Sequence, residues 1–441
     1  MKTLKYILEF NILLAFTVFS RNPIVPPGIY MADPSAHVWQ DGRLYVYCSV
    51  DESVDYYCSH RHHVLSTDDM IHWTLHENSF SSKGKDDQVP YSDALLYAPD
   101  CWFKNDTYFL YYCLADQNYT EGVATSSNPA GPFNNGKNID LFGYSQIDPC
   151  IFVDDDGQAY YTWGQFSAKM ARMKPNMKEI DESTIIDGVV TESEHFFHEG
   201  GYLIKRNNIY YYIYAHLGRK NMPTCIGYAM SDAPMGPYTY RGVIVDNDRC
   251  DPANWNNHGS VVAFKGQWYV FYHRATHNSR MMRKACVEPI TFNADGTICE
   301  VEMTSQGAGK PLNALSEIDA ANACLLFGNV RIRAFTGDNE ELAGIKDKDR
   351  VVYKYIDFKD GVDRFSIRVA AGKDPGRIDL VLDMPWHGAV GTINVPGGGT
   401  QKKWEILSAG IKQIKGVHAL WLKFYGEGES LFDIDWLRFE K

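Results

Sequence analysis

Residues 147–164 read "IDPCIFVDDDGQAYYTWG". An acid and a proline lead into an apolar run, an Asp-Gly turn follows, and a strand rich in aromatics closes the unit. An Asp-Gly step between two such runs signals a β-hairpin. The unit recurs as "ADPSAHVWQDGRLYVYCS" (32–49), "APDCWFKNDTYFLYYC" (98–113), "EGGYLIKRNNIYYYIYA" (199–215) and "NHGSVVAFKGQWYVFYH" (257–273). Its lead residues are Asp33, Asp100, Asp148, Glu199 and His258, spaced 48 to 67 residues apart. A four-stranded propeller blade takes about 40–50 residues, and more with insertions. Five units therefore predict a five-bladed β-propeller. "VATSSNPAGPFN" (123–134) and "YAMSDAPMGPYTYRG" (228–242) share a Ser, Pro, Gly-Pro-aromatic pattern, which suits the turn before an outer strand.

Composition agrees with an all-β chain. Aromatics make up 14% of the 441 residues, with 28 Tyr, and long helix-forming blocks are scarce. The length calls for two domains. A formal net charge of −12, without clustered Lys and Arg, argues against nucleic acid or an anionic membrane as partner. Residues 1–20, "MKTLKYILEFNILLAFTVFS", carry Lys2 and Lys5, then an apolar run, then small residues at Val18 and Ser20. They read as a secretory signal, with export to the periplasm or the exterior. No Cys follows to suggest a lipid anchor, and no later run approaches 18 apolar residues, so a soluble monomer is expected. The ten Cys lie mostly inside strand-like runs and read as small buried hydrophobes. Cys48 and Cys58 are the nearest spaced pair. No CxxC or HExxH motif points to zinc. Asn105 and Asn118 head glycosylation sequons.

In a propeller the innermost strand of each blade lines the axis, so the lead residues of the five units converge on one funnel. Several acids brought together there repel one another, and shifted proton affinities of that kind serve catalysis.

Taken in this order, "ADPS", "YAPDCWF", "IDPCIFVDDDGQAYYTWG", "EGGYLIKRNNIYYYIYA", "NHGSVVAFKGQWYVFYHR" and "ITFNADGTICEVEMT" resemble glycoside hydrolase family 43 over roughly residues 22–312. These are inverting five-bladed propeller enzymes acting on arabinose- and xylose-containing polysaccharides. The resemblance implies Asp33 as general base, Glu199 as general acid, and Asp148 as the carboxylate that orients the acid and raises its pKa. An inverting glycosidase needs an ionised and a protonated carboxyl on opposite sides of the bond, about 6.5–9.5 Å apart. Glu192 and Glu194 are rivals for the acid, but Glu199 is preferred because the Gly pair after it lets backbone approach a ligand. Asp154–Gly157 is expected as a hairpin turn rather than a metal box, and Asp100 as structural. The resemblance also implies Arg274 lining the pocket, and His258 near the axis as either a satisfied channel histidine or a ligand of water or calcium. Trp102 and Trp163 are candidate sugar-stacking platforms. No cofactor is required, and a structural calcium is the one metal considered.

Residues 313–323 read as a linker. Beyond them, residues 324–441 hold alternating strands at β-sandwich spacing. They resemble a family 6 carbohydrate-binding module, a jelly roll. Where that family usually carries a stacking Trp and a final-strand Asn, this chain has Gln401 and Asp433, while Tyr353 is the candidate for the other aromatic platform. The domain is therefore expected to be mostly structural. The reading as a whole is an exported glycosidase removing α-L-arabinofuranosyl units from arabinan or arabinoxylan. A β-xylosidase or xylan-cleaving enzyme is the alternative, and a non-catalytic glycan-binding propeller is the rival of another class.

Overall fold

The computed structural model describes residues 21–337, 339–399 and 402–441. The proposed signal segment, residues 1–20, lies outside the described residues.

Five antiparallel sheets follow one another along the chain. The first holds Met31–Val38, Leu44–Val50, Arg61–Thr67 and Trp73–Ser81, and the second begins with Leu96–Lys104. The third begins with Cys150–Val153, the fourth with Phe197–Arg206 and the fifth with Ser260–Phe264. The first four sheets have four strands each and the fifth has three. An apolar wedge fills the space between each neighbouring pair. Tyr47 and Phe80 meet Leu110 and Tyr112 between the first two sheets, and Tyr111 meets Tyr161 and Trp163 between the next two. The fifth wedge joins the ends of the domain, packing Met31, Val46 and Trp73 of the first sheet against Phe271 and Val287 of the last. Successive sheets with a closing wedge make a five-bladed propeller.

The repeat unit explains each blade's inner hairpin. In the third blade Ile151 pairs with Tyr161 and Val153 with Ala159. The Asp154–Gly157 turn between them is closed by the Gly157 amide donating to the Asp154 carbonyl at 2.9 Å, with Gly157 at φ +83. The Asp154 carboxylate accepts from Lys205 at 2.6 Å, so this acidic run is a turn pinned by an ion pair. All ten cysteines are free, and all but Cys299 are fully buried.

The C-terminal part is a β-sandwich of two six-stranded sheets. Its core holds Leu326, Val351, Phe365, Leu380, Leu422, Ile434 and Phe439. The expected linker is folded into it. Leu312–Asn313 pairs with Ile356–Asp357, and Ile318–Asp319 pairs with Leu437 and Trp436. Ala314, Ile318, Ala320 and Ala323 enter the core, so what reads as a plain alanine-rich stretch supplies apolar surface. The sandwich rests on the last blade. Lys284 forms a buried ion pair with Glu340 at 2.7 Å, and the His277 amide donates to the Ile332 carbonyl at 2.7 Å. Among the described residues no helix is long and apolar enough to cross a membrane.

Candidate active site

The innermost strands bring Asp33, Asp148, Glu199 and His258 to one end of the propeller axis, where they line a single pocket of about 250 Å³. Asp33 and Asp148 each precede a proline and take a left-handed backbone, at φ +54 and +65. Asp enters that region more readily than most residues, although a following proline favours extended backbone. The surroundings must therefore hold both residues there. In the first blade the pairing register shifts between Ala32 and Ser35, a bulge that turns Asp33 out of the ladder.

Asp33 is buried and fully engaged. Arg283 Nη1 donates to its Oδ1 at 2.8 Å and Ser49 Oγ donates to its Oδ2 at 2.7 Å. The Asp33 amide donates to His273 Nδ1 at 3.3 Å, and His273 Nε2 faces the Asn256 carbonyl at 3.2 Å. Arg283 is itself fixed by Asp51, which accepts from its Nε and Nη2 at 2.9 Å each. Burial by itself would raise the Asp33 pKa. The Arg283 charge, the His273 hydrogen bond and the charges of His258 and His273 more than offset it, and the carboxyl is held well below the usual range. Asp33 is an ionised carboxylate.

Asp148 is the opposite case. It is equally buried, its amide donates to Cys113 Sγ at 3.4 Å, and the same thiol lies 3.9 Å from its Oδ1. Burial, then the negative charges of Glu199, Asp33 and Glu121, push its pKa well above the usual range, with Arg283 opposing. Asp148 is the more enclosed of the two pocket carboxyls that have no cation in contact. Glu199 is more open and is held by two amides, Gln165 Nε2 at 2.8 Å and Asn256 Nδ2 at 3.3 Å. Its rival Glu192 faces His198 at 3.2 Å from a short helix outside the pocket.

His258 Nδ1 lies 3.6 Å from Asp33 Oδ1 and 4.0 Å from Asp148 Oδ2. Burial lowers its pKa, while Asp33 and Glu199 oppose that shift. Its ring explains the first glycine of the Gly pair, and the Tyr212 ring explains the second. A Cβ on Gly200, at φ +65, would come within 2.6 Å of the imidazole, so this glycine makes room for a side chain rather than for a ligand. Calcium takes six to eight oxygens. Around His258 the nearest carboxylate is already neutralised by Arg283, and among the described residues no three His, Cys, Asp or Glu side chains cluster to hold a metal. These donors do not make a calcium cage.

Three expected pocket residues lie elsewhere. Side chains alternate along a strand, so in Gln267–Thr276 His273 turns toward Asp33 while Arg274 turns away. Arg274 donates to the Thr304 carbonyl at 2.7 Å and to Tyr272 Oη at 3.1 Å, beside Glu288 at 3.5 Å. The pocket guanidiniums belong instead to Arg280 and Arg283 of the next strand. Trp163 is fully buried, its Nε1 donating to the Tyr144 carbonyl at 2.7 Å. Trp102 packs edge-on against His37 and Trp39. The pocket aromatics are Tyr57, Tyr97 and Trp255. Asp100 is structural, as expected, tying blades together through Ser35, His37 and the Ile151 amide.

Arg283, His273, Asn256 and Gln165 went unread in the sequence. The one signal for Arg283 was "MMRKACV", two cations inside an otherwise apolar strand, which buried surroundings tolerate only when both are paired. In the sandwich, Tyr353 is not a platform. It is wholly buried and its hydroxyl donates to the Ala320 carbonyl at 2.9 Å. Asp433 is engaged by Lys402 at 3.1 Å and Arg333 at 3.3 Å, and Gln401 lies outside the described residues.

Comparison with known proteins supplies the wider context. Residues 20–298 match the model of glycosyl hydrolases family 43, and residues 328–441 match carbohydrate binding module family 6. The chain is 30% identical to a xylosidase/arabinosidase of Thermoclostridium stercorarium, over 93% of this chain and 97% of that protein. It resembles the structure of a Bacillus subtilis arabinoxylan arabinofuranohydrolase in complex with cellotetraose, at 27% identity and TM-score 0.56, covering 95% of this chain and 97% of that one. A β-xylosidase/α-arabinofuranosidase from a compost metagenome, in a calcium-free form with xylotriose, is 29% identical at TM-score 0.55. That match covers 65% of this chain and 99% of that one.

Proposed function

The chain belongs to glycosyl hydrolase family 43, and on that footing we propose that it is an exported, inverting glycosidase that releases α-L-arabinofuranosyl side units from arabinoxylan or arabinan. The observation that carries this reading is the pocket itself. It joins an ionised Asp33, a Glu199 held by two amides and a buried Asp148 of raised proton affinity in about 250 Å³. That is below the 300–1,000 Å³ typical of a drug-sized ligand site, and it suits one terminal sugar.

In the reaction, Asp33 takes a proton from water as the water oxygen attacks the anomeric carbon. Glu199 gives its proton to the glycosidic oxygen as the bond to the leaving sugar breaks. Asp148, whose proton affinity is raised by burial first and then by its carboxyl neighbours, stands close to Glu199, and Arg283 keeps Asp33 ionised. The donor atoms around the axis supply no calcium cage, so a structural calcium would have to draw most of its ligands from water, and it takes no part in the steps above. Lys2, Lys5 and the apolar run after them support export.

The relatives' names favour a second reading, β-xylosidase action. The two separate on the sugar released. Purified protein incubated with arabinoxylan and with linear xylo-oligosaccharides is expected to yield arabinose from the first and little xylose from the second, by chromatography of the products. Xylose release alone would replace the arabinosidase reading with the xylosidase one. Release of neither sugar would overturn both.

A further inference from the structure

A pocket for one sugar leaves the rest of a polysaccharide outside, and the rim shows where it would lie. The innermost strands begin at the pocket end, so the second-to-third strand turns and the links between blades lie at that end too. Exposed aromatics gather on these segments, among them Tyr144, Phe166, Phe196 and Trp255. Phe142, Phe166 and Phe196 also take left-handed backbones, at φ +52, +64 and +59. A bulky residue gains nothing intrinsic from that conformation and is disfavoured there. An exposed aromatic in such a conformation, unlike a buried one, has no core packing to justify it, and strain of this kind concentrates at functional sites.

Phe166 is the best placed of the three. It is 50% exposed. Its amide donates to the His198 carbonyl at 2.7 Å, and its carbonyl accepts from the Glu192 amide at 2.9 Å. Its ring stands edge-on to the His198 imidazole at 5.3 Å, and His198 lines the pocket. The preceding residue, Gln165, donates to Glu199 Oε2. The ring thus stands against His198 of the pocket wall, one residue along the chain from the amide that holds the proposed acid, on the side where the leaving sugar must sit.

We propose that Phe166 is the platform of the leaving-group subsite, stacking on the main-chain pyranose to which the cleaved unit is attached. The protein is then built for decorated polysaccharide rather than for small glycosides. This rests on the glycosidase reading above. A pyranose presents an apolar C–H face of the kind an exposed ring accepts, and the platform is continuous with the catalytic pocket.

The test compares full-length wild type, Phe166→Gly and Phe166→Tyr on two substrates. One is an arabinosylated xylo-oligosaccharide. The other is the methyl glycoside of the same sugar, which has no leaving sugar to stack. Phe166→Gly is expected to lower kcat/KM about tenfold or more on the oligosaccharide and leave the methyl glycoside within about twofold, while Phe166→Tyr keeps both. Glycine suits the left-handed backbone, so the melting temperature of Phe166→Gly should not fall. Equal losses on both substrates with a lower melting temperature would show a packing role and overturn the proposal, as would no loss on either. A wild type inactive on both would overturn the glycosidase reading instead.

Discussion

Glu199→Gln is expected to lower kcat on arabinosylated oligosaccharides by about 10²–10⁴-fold, the usual worth of a positioned general acid. The loss should depend on the leaving group. A sugar alkoxide cannot leave without a proton, whereas an activated nitrophenolate can, so the variant should retain most of its rate on an aryl arabinofuranoside. The same pair of substrates decides between Glu199 and Asp148, and the choice is a real one. Raised proton affinity by itself would nominate Asp148, whose pKa burial and three neighbouring carboxyls push up. Geometry favours Glu199, the more open of the two and the one held by Gln165 and Asn256 from different loops. A buried acid with only the Cys113 thiol and the His258 ring at its carboxyl, at 3.9 and 4.0 Å, has no amide to aim it at a glycosidic oxygen among the described residues. Asp148→Asn should therefore lose activity on both substrates in similar proportion. If Asp148→Asn spared the aryl glycoside and Glu199→Gln did not, the two roles would be exchanged.

Arg283→Met is expected to move the acidic limb of the kcat/KM profile upward by about 1–3 pH units, the range by which a neighbouring arginine lowers an aspartate. The sign follows from the roles. The base must be ionised, and Asp33 is ionised far into acid because Arg283 and its histidine neighbours outweigh the cost of its burial. Without the guanidinium the effect of burial stands less opposed, the carboxyl binds its proton at higher pH, and activity is lost earlier on acidification. Arg283→Lys keeps a charge but not the fork that spans Asp33 and Asp51, and should shift the limb less. Circular dichroism would confirm that both variants fold. An acidic limb unmoved in Arg283→Met would remove Asp33 as the group that sets it.

Much of this architecture is legible along the chain because one local rule repeats. An acid, replaced by His258 in the last blade, then a buried run, a tight turn and an aromatic strand mark the inner hairpins, and their spacing gives the blade count. The three carboxylates are legible for the same reason, since each opens an innermost strand. What surrounds them is not, because it comes from positions that no repeat marks. Arg283 reaches Asp33 from the far end of the propeller sequence, across 250 residues. His273 and Arg274 differ by one step in a strand, and that step decides which of them faces the site. Gly200 reads as a ligand approach but serves the His258 ring, a contact between blades four and five that only the closed propeller creates. Trp102, Trp163 and Tyr353 have the chemistry of sugar platforms, but Trp163 and Tyr353 are buried and Trp102 packs edge-on against His37 and Trp39 away from the pocket. Conversely Phe166 sits in a short turn, "GQFS", whose backbone conformation nothing in the residue names announces.

In the proposed reaction a water activated by Asp33 is delivered opposite a leaving group protonated by Glu199. The anomeric configuration of the first-formed sugar tests that arrangement most directly. Proton NMR during rapid hydrolysis of an α-L-arabinofuranoside, before mutarotation, should show β-L-arabinofuranose appearing first. First appearance of the α anomer would mean that a carboxylate, not water, attacks the anomeric carbon, and would contradict the assignment of Asp33 as the base.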